Sequence, residues 1–180
     1  MSGAGAVGPI TDLDPRYSSP DAVPTAWPDA LETLAAAELY WISTVRPDGR
    51  PHVTPLAAVV DQGTLVFCTG PNERKARNLS ANPQCVLTTG CNQFDGTDIV
   101  LEGEAVPIAD EARLRSLADA YAAKYPGIFE FEVRDGAFHS DGGGRALVFE
   151  VVPRQGFAFG KGDEFSQTRW RFSGGRQGVR

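Results

Sequence analysis

The segment 69–79, with the sequence TGPNERKARNL, contains the residues whose types and spacing are best suited to bind an anion. A strand is predicted to end at Thr69, and after a Gly-Pro turn a helix capped by Asn72 is predicted to begin. Backbone N–H groups at a helix start attract anions, and Arg74 and Lys75 add two positive charges there. The segment therefore predicts an anion site at a strand-to-helix corner.

The same two cations conflict with the helix that carries them. Arg74 and Lys75 lie in its first turn, where each opposes the helix dipole at a cost of about 0.3–1 kcal/mol. A bound phosphate would remove the conflict, because it accepts hydrogen bonds from the N–H groups and both cations. Helical spacing puts Ala76 and Leu79 on the core side and Arg74 and Asn78 on the opposite face. The alternative interpretation is a solvated basic turn on a surface helix.

A second candidate lies near the C-terminus, where FSQTRWRF (165–172) interleaves arginines with aromatic residues. Residues 161–180 hold five basic and two acidic residues, in a chain whose formal net charge is −6. Arg169 and Trp170 would suit a flat anionic ligand, because a guanidinium meets its charge and an indole its ring. The alternative is an ordinary strand that packs Trp170 and Phe172 into the core.

The remaining reactive side chains identify no catalytic set. Neither histidine, His52 or His139, has a triad-like neighbour in sequence, and no Cys/His spacing predicts a metal site. His139 lies in a Gly-rich segment that is typical of a surface loop or a lid. Tyr121, Tyr125 and Phe138 could border a substrate space, but the helical spacing of the two tyrosines favours core packing.

The elements that must position these residues are mostly strands. Residues 39–45 and 50–60 form a predicted hairpin around the turn RPDG, and Pro51 and Pro55 require its second strand to lie at a sheet edge or to carry a bulge. Helices are predicted at 28–37, 72–81 and 110–124. Further strands are predicted at 65–69, 84–89, 98–106, 146–152 and 157–159.

Tight turns between the early strands predict an antiparallel sheet. About six such strands with peripheral helices indicate a mainly β (α+β) fold, a closed or split β-barrel. The 180 residues are enough for one domain, which we place at 27–172 between an irregular N-terminal arm (1–26) and a C-terminal tail (173–180).

The composition excludes several classes of protein. The acidic balance argues against a nucleic-acid partner, which requires a basic footprint. No apolar run reaches the roughly 18 residues that span a membrane, and the N-terminus lacks signal-peptide features. Three cysteines, an odd number, favour a reducing cytoplasmic setting.

Two of these segments also carry a resemblance. The hairpin WISTVRPDGRPHVTPL (41–56) and the helix start RKARNL, followed by SANP, resemble the pyridoxamine 5′-phosphate oxidase-like proteins. The ending TRWRF (168–172) is similar to that of actinobacterial members. The resemblance covers roughly residues 28–172, and the combination of hairpin and helix start is its specific part.

The resemblance implies a split β-barrel homodimer with two sites for FMN or the deazaflavin coenzyme F-420 at the subunit interface. Arg74 and Lys75 match the pair that holds the cofactor phosphate, and Asn78 follows in the same helix. Cys68 and Thr69 match the strand end beside that pair. Residues 53–58, with Thr54 and Pro55, match the strand along the ring system.

That strand has no basic side chain, unlike its counterpart in true pyridoxamine phosphate oxidases, and its Thr54 resembles the deazaflavin-using branch. The resemblance thus predicts an oxidoreductase that uses F-420 to transfer hydride to a small enone- or quinone-like substrate. FMN is the alternative cofactor. A non-catalytic flavin- or haem-binding protein is the alternative function.

Overall fold

Strands account for most of the chain that the structure, a computed structural model, describes, namely residues 8–173. The predicted tail lies outside these residues except for Ser173. In chain order, the elements are β1 (Ile10–Leu13), α1 (Trp27–Ala36), β2 (Tyr40–Val45), β3 (Pro51–Leu56), β4 (Ala58–Asp61), β5 (Thr64–Thr69), α2 (Arg74–Ala81), β6 (Gln84–Thr89), β7 (Gly96–Ile108), α3 (Glu111–Lys124), β8 (Glu132–Arg134), β9 (Ala137–Ser140), β10 (Gly144–Lys161) and β11 (Ser166–Arg171).

All strand pairs are antiparallel, and the main path of the sheet runs β1-β11-β10-β7-β6-β2-β3. The β4–β5 pair joins β10 through β5, and the β8–β9 pair joins β10 through β9. The sheet is open, and its architecture confirms the predicted mainly β split-barrel fold class. Within residues 8–173 it has eleven strands where about six were expected, because β1 in the N-terminal arm, a break at Ala57, the β8–β9 hairpin and β11 each add to the count.

Strand β10 replaces two strands that the sequence predicted separately. It runs for 18 residues, and its register against β7 shifts between Pro153 and Gln155. The shift is a bulge, which bends a strand without ending it. Residues 153–156, which separate the two predicted strands, therefore lie within a single strand. This strand pairs with β5, β7, β9 and β11.

The hairpin β2–β3 confirms the edge position that its prolines require. β3 is the last strand of the sheet order, and its Pro55 lies opposite Trp41. Because an edge strand leaves half of its N–H groups unpaired, a residue without an N–H costs little there. β3 is also the strand expected to run beside a cofactor ring.

Two hydrophobic clusters fill the molecule. One packs α1 against the barrel strands, and its largest member is Trp170. The other packs α3 against β4, β5, β9 and β10, and it contains Tyr121, Tyr125 and Phe138. The core-packing interpretation of the two tyrosines is therefore confirmed, and the ring of Phe138 is buried with them.

The N-terminal arm is not wholly irregular. Its Ile10–Leu13 segment forms β1 and pairs with β11, which the short apolar content of the arm did not indicate. Farther along, the Thr25 N–H donates to the Thr168 hydroxyl at 2.8 Å, and the Trp170 Nε1–H donates to the Thr25 carbonyl at 3.2 Å. These contacts fasten the arm to the last strand.

Candidate functional site

The strand-to-helix corner forms where it was predicted, with one change in its cap. β5 ends at Thr69, and α2 begins at Arg74 with Glu73, not Asn72, at the N-cap position. The Glu73 N–H closes the turn by donating to the Gly70 carbonyl at 3.0 Å. The prediction of an Asn72 cap was wrong because Gly-Pro-Asn forms the turn itself and the helix starts only afterwards.

The carboxylate of Glu73 lies inside this corner. Its Oε1 accepts a hydrogen bond from the Gly70 N–H at 2.8 Å, and its Oε2 is paired with the Lys75 ammonium. Burial opposes ionisation of Glu73, but hydrogen bonds from Lys75, Gly70 and Thr69 outweigh it and lower the pKa of the carboxyl group. Glu73 thus partly relieves the conflict between the cations and the helix dipole, a role that the sequence argument missed.

Helix α2 presents an unexpected face to the protein interior. Lys75 and Asn78 are buried together with Ala76 and Leu79, while Arg74 remains exposed. Asn78 was predicted to share the outer face with Arg74, and that placement was wrong: Asn78 is 0% exposed. Residues i, i+1, i+3 and i+4 share one helical face, so the inward stripe begins at Lys75.

The hairpin completes a group of basic side chains that we call the basic corner, made of Arg46, His52, Arg74 and Lys75. Burial lowers the pKa of His52, and repulsion from the other three members lowers it further. Arg46 at the end of β2 and the two cations of α2 thus all act on the same imidazole. The neutral form of His52 is therefore the favoured one, and its Nδ1 lies 3.4 Å from the Thr44 hydroxyl.

Two buried polar atoms at the basic corner have no partner among residues 8–173: the Nε of Arg46 and the Oδ1 of Asn78. A buried polar group without a partner is costly, and such groups commonly mark a binding site. Cations from two elements and an unpaired guanidinium nitrogen are groups with which a phosphate can pair, so the residues of the basic corner fit a phosphate group. Arg46 and His52 were not predicted, although the hairpin register, which pairs Thr44 with His52, could have indicated them.

The predicted ring-facing strand lies beside this corner. Thr54 is half-buried and lies two residues from His52, so both side chains project from the same face of β3. Pro55 is exposed on the other face. Residues 53–58 carry no basic side chain, as the sequence shows.

The side chains of Cys68 and Thr69 at the end of β5 point to opposite faces of the sheet, as those of neighbouring strand residues do. Thr69 is buried beside Glu73 and contributes to lowering its pKa. Burial raises the pKa of the Cys68 thiol to about 11, and the thiol contacts Tyr121 of α3. Cys68 therefore belongs to the hydrophobic side of the strand, although it also lines a cavity of about 760 Å³ next to Glu73.

The two C-terminal candidates both lie on β11 and differ in their exposure. Trp170 is 0% exposed and packs edge-on against Trp27, with ring centroids 5.2 Å apart, so its indole offers no face to a ligand. Arg169 is exposed and donates to Gln155 Oε1 at 2.8 Å. It lines a groove of about 590 Å³ together with Arg154 and Arg171, and that groove does not include Lys75.

The cavity of about 760 Å³ contains His139, which belongs to strand β9 and not to the loop that its sequence indicated. Its Nδ1 lies 3.2 Å from Arg134 Nη2, and its buried Nε2 has no partner among the described residues. Within residues 8–173, no group of three or more metal-ligating side chains is found, and no helix is long and apolar enough to cross a membrane.

An open antiparallel sheet with three helices, as found in residues 8–173, defines the class of split β-barrels. The sequence model of one family, described as pyridoxamine 5′-phosphate oxidase, matches residues 27–158. The chain belongs to the pyridoxamine 5′-phosphate oxidase family, and the predicted resemblance is confirmed.

Solved structures share this fold at low identity. A haem-binding protein from Mycobacterium smegmatis is 21% identical, with a TM-score of 0.59 over 81% of this chain and 58% of that protein. This chain thus spans little more than half of that relative's length. A conserved hypothetical protein from Mycobacterium tuberculosis is 17% identical, with a TM-score of 0.60 over 89% of this chain and 98% of the other.

A NimC/NimA family protein from Clostridium acetobutylicum is 19% identical, with a TM-score of 0.58 over 79% of this chain and 91% of the other. Identities this low show a shared fold. The comparison with curated proteins finds no match.

Proposed function

We propose that this chain is an oxidoreductase that binds the deazaflavin coenzyme F-420 and acts on a small enone- or quinone-like substrate. The observation that carries the proposal is the basic corner, in which Arg46, Arg74 and Lys75 all act on His52 and the buried Nε of Arg46 has no partner among residues 8–173. FMN is the alternative cofactor. When bound, either cofactor would supply the hydride chemistry, and the protein would supply position and charge.

Each residue of the corner has a separate part in the proposed binding. Lys75 is buried at 6% exposure and paired with Glu73, so its ammonium is already desolvated and a ligand anion would share it with that carboxylate. Arg74 and Arg46 add charge from α2 and from the end of β2. Neutral His52 could accept a proton when an anion arrives. Thr54 and the backbone of β3 would orient the ring system.

The absence of basic side chains on residues 53–58 favours F-420 over FMN in this proposal, since true pyridoxamine phosphate oxidases carry cations on that strand. The fold is also shared with a protein whose printed description is haem binding. A non-catalytic haem or flavin binder is therefore the second candidate function.

We also propose that the active form is a homodimer in a reducing cytoplasm. The hairpin exposes two large apolar side chains, Trp41 on β2 (52% exposed) and Val53 on β3 (54% exposed), whose cross-strand partners are Pro55 and Ser43. An apolar patch at a sheet edge is a typical interaction surface. A second copy of the chain packed on this face would shield the patch. The same contact could bring the groove that Arg169 lines close to the basic corner of the other copy.

The Cys68, Cys85 and Cys91 thiols are all free, which agrees with a reducing compartment.

The test is a titration of the purified protein with F-420, FMN and haem, followed by exposure of the reduced complex to a panel of enones and quinones. Tight binding of F-420 and reoxidation by at least one substrate are expected. Tight binding of FMN without F-420 would contradict the cofactor assignment. Binding without any reoxidation would favour the non-catalytic candidate.

The homodimer is tested separately, by comparing the sedimentation of the Trp41→Glu variant with that of the wild type.

A further inference from the structure

The strand-to-helix corner that is proposed to attract a phosphate already holds a negatively charged group, the carboxylate of Glu73. Glu73 accepts hydrogen bonds from the Gly70 N–H and from Lys75, and the Thr69 hydroxyl lies against it. These are the same kinds of donor that a phosphate oxygen would use. Among residues 8–173, Lys75 forms an ion pair only with Glu73.

The two partners differ in their exposure to water. The side chain of Lys75 is 8% exposed, whereas that of Glu73 is 50% exposed. The ammonium is therefore fixed inside the protein, and its carboxylate partner forms the rim of the corner. A ligand phosphate that pairs with the Lys75 ammonium would therefore lie close to this carboxylate.

We propose that Glu73 determines which phosphate esters the basic corner accepts, by disfavouring a doubly charged phosphomonoester relative to a singly charged phosphodiester. This inference rests on the proposed function, in which the corner receives the phosphate of a cofactor. It separates the two candidate cofactors chemically, because FMN ends in a phosphomonoester and F-420 contains a phosphodiester. A terminal phosphomonoester carries a charge of about −1.5 to −2 at neutral pH, whereas a diester can carry only one.

The effect follows from Coulomb repulsion. A fixed negative charge repels a doubly charged ligand about twice as strongly as a singly charged one at the same distance. Partial exposure weakens this repulsion through screening, but the desolvated Lys75 favours keeping the carboxylate in place. Arg46 and Arg74 still attract either ligand, so Glu73 changes the preference and does not abolish binding.

The test uses ligands that share one flavin ring and differ in phosphate charge: riboflavin, riboflavin 4′,5′-cyclic phosphate and FMN. Dissociation constants are measured at about pH 8, where the monoester is fully ionised, and at low salt, where screening is weak. The proteins are the wild type, Glu73→Gln and the control Glu32→Gln, which removes the same charge from an exposed position on α1. The fourth protein, Glu73→Asp, changes the side chain but keeps the negative charge. It shows whether an effect of Glu73→Gln comes from the lost charge or from a disturbed fold.

We expect Glu73→Gln to improve binding of FMN about tenfold more than binding of the cyclic ester, and to leave riboflavin unchanged. Glu73→Asp and Glu32→Gln should keep the wild-type preference. Equal improvement for both phosphates, or none, would overturn the role of Glu73 while the proposed function stands. If neither these flavins nor F-420 bind any of the four proteins, the proposed function fails, and this inference fails with it.

Discussion

Asn78 and Thr44 are joined by a hydrogen bond of 2.9 Å between the Asn78 Nδ2 and the Thr44 hydroxyl, which ties α2 to β2. Both residues are buried, at 0% and 2% exposure. The Thr44 hydroxyl also lies 3.4 Å from His52 Nδ1, so a polar chain leads from the helix to the edge strand. The helix that holds Lys75 is therefore fixed to the hairpin by polar contacts as well as by packing.

Removal of one partner from this pair should cost stability. Thr44→Val leaves the buried Asn78 amide without an acceptor, so we expect the free energy of unfolding to fall by about 1–3 kcal/mol. Urea denaturation measures it. The double variant with Asn78→Leu should lose less than the sum of the two single losses, because it leaves no unpaired amide. Strict additivity would contradict the coupling.

Lys75 should contribute to cofactor binding more than its neighbour on the same helix. Lys75→Met removes a charged hydrogen bond to the phosphate, and we expect a loss of about 1.5–3 kcal/mol in binding free energy, or about 10- to 150-fold in Kd. Arg77→Met is the control, because Arg77 is an exposed cation of α2 outside the basic corner. Fluorescence titration compares the two. Equal affinities of Lys75→Met and wild type would exclude the phosphate role.

His52 should take up a proton when an anion binds. Burial and three neighbouring cations hold the pKa of His52 below its ordinary value of 6.5 in the free protein. A bound phosphate offsets the repulsion and raises this pKa, so binding should strengthen as the pH falls below the ordinary value. Calorimetry at about pH 6 in two buffers of different ionisation enthalpy measures the protons taken up. His52→Gln should abolish the uptake, and the control His139→Gln should not.

The two C-terminal candidates should behave differently. Trp170→Phe removes the hydrogen bond to the Thr25 carbonyl and part of a core ring, so we expect a stability loss of about 1–3 kcal/mol with unchanged cofactor affinity. Arg169→Gln should leave stability nearly unchanged because the side chain is exposed. If the dimer brings Arg169 to the cofactor, Arg169→Gln weakens cofactor binding, whereas Trp170→Phe leaves it unchanged. A weaker affinity in a stable Trp170→Phe protein would contradict the core assignment.

Local patterns predicted much of the fold. The prolines of β3 indicated an edge strand, and the helical spacing of Tyr121 and Tyr125 indicated that both pack in the core. Each of these depends on a residue's own backbone limits or on one periodic face. Strand β1 depends instead on a partner some 150 residues away in the chain, and no local pattern reveals it.

The site was predictable only in part, for a similar reason. The cations Arg74 and Lys75 stand out in the sequence, but the burial of Asn78 depends on a hydroxyl that β2 supplies. Glu73 was visible beside the cations, yet its role depends on a turn that points its carboxylate back towards Gly70. Groups that act within one segment could be inferred from the sequence. Contacts between distant segments could be identified only from the folded structure.

The length of β10 has a consequence for the integrity of the whole molecule. This strand contributes Phe149 and Val151 to the cluster beneath α1, and Val148 to the cluster beneath α3. Neighbouring residues of a strand point to opposite faces, so one short stretch of β10 supplies side chains to both clusters. Separation of this stretch from the sheet would expose both clusters at once, which couples the unfolding of one to that of the other.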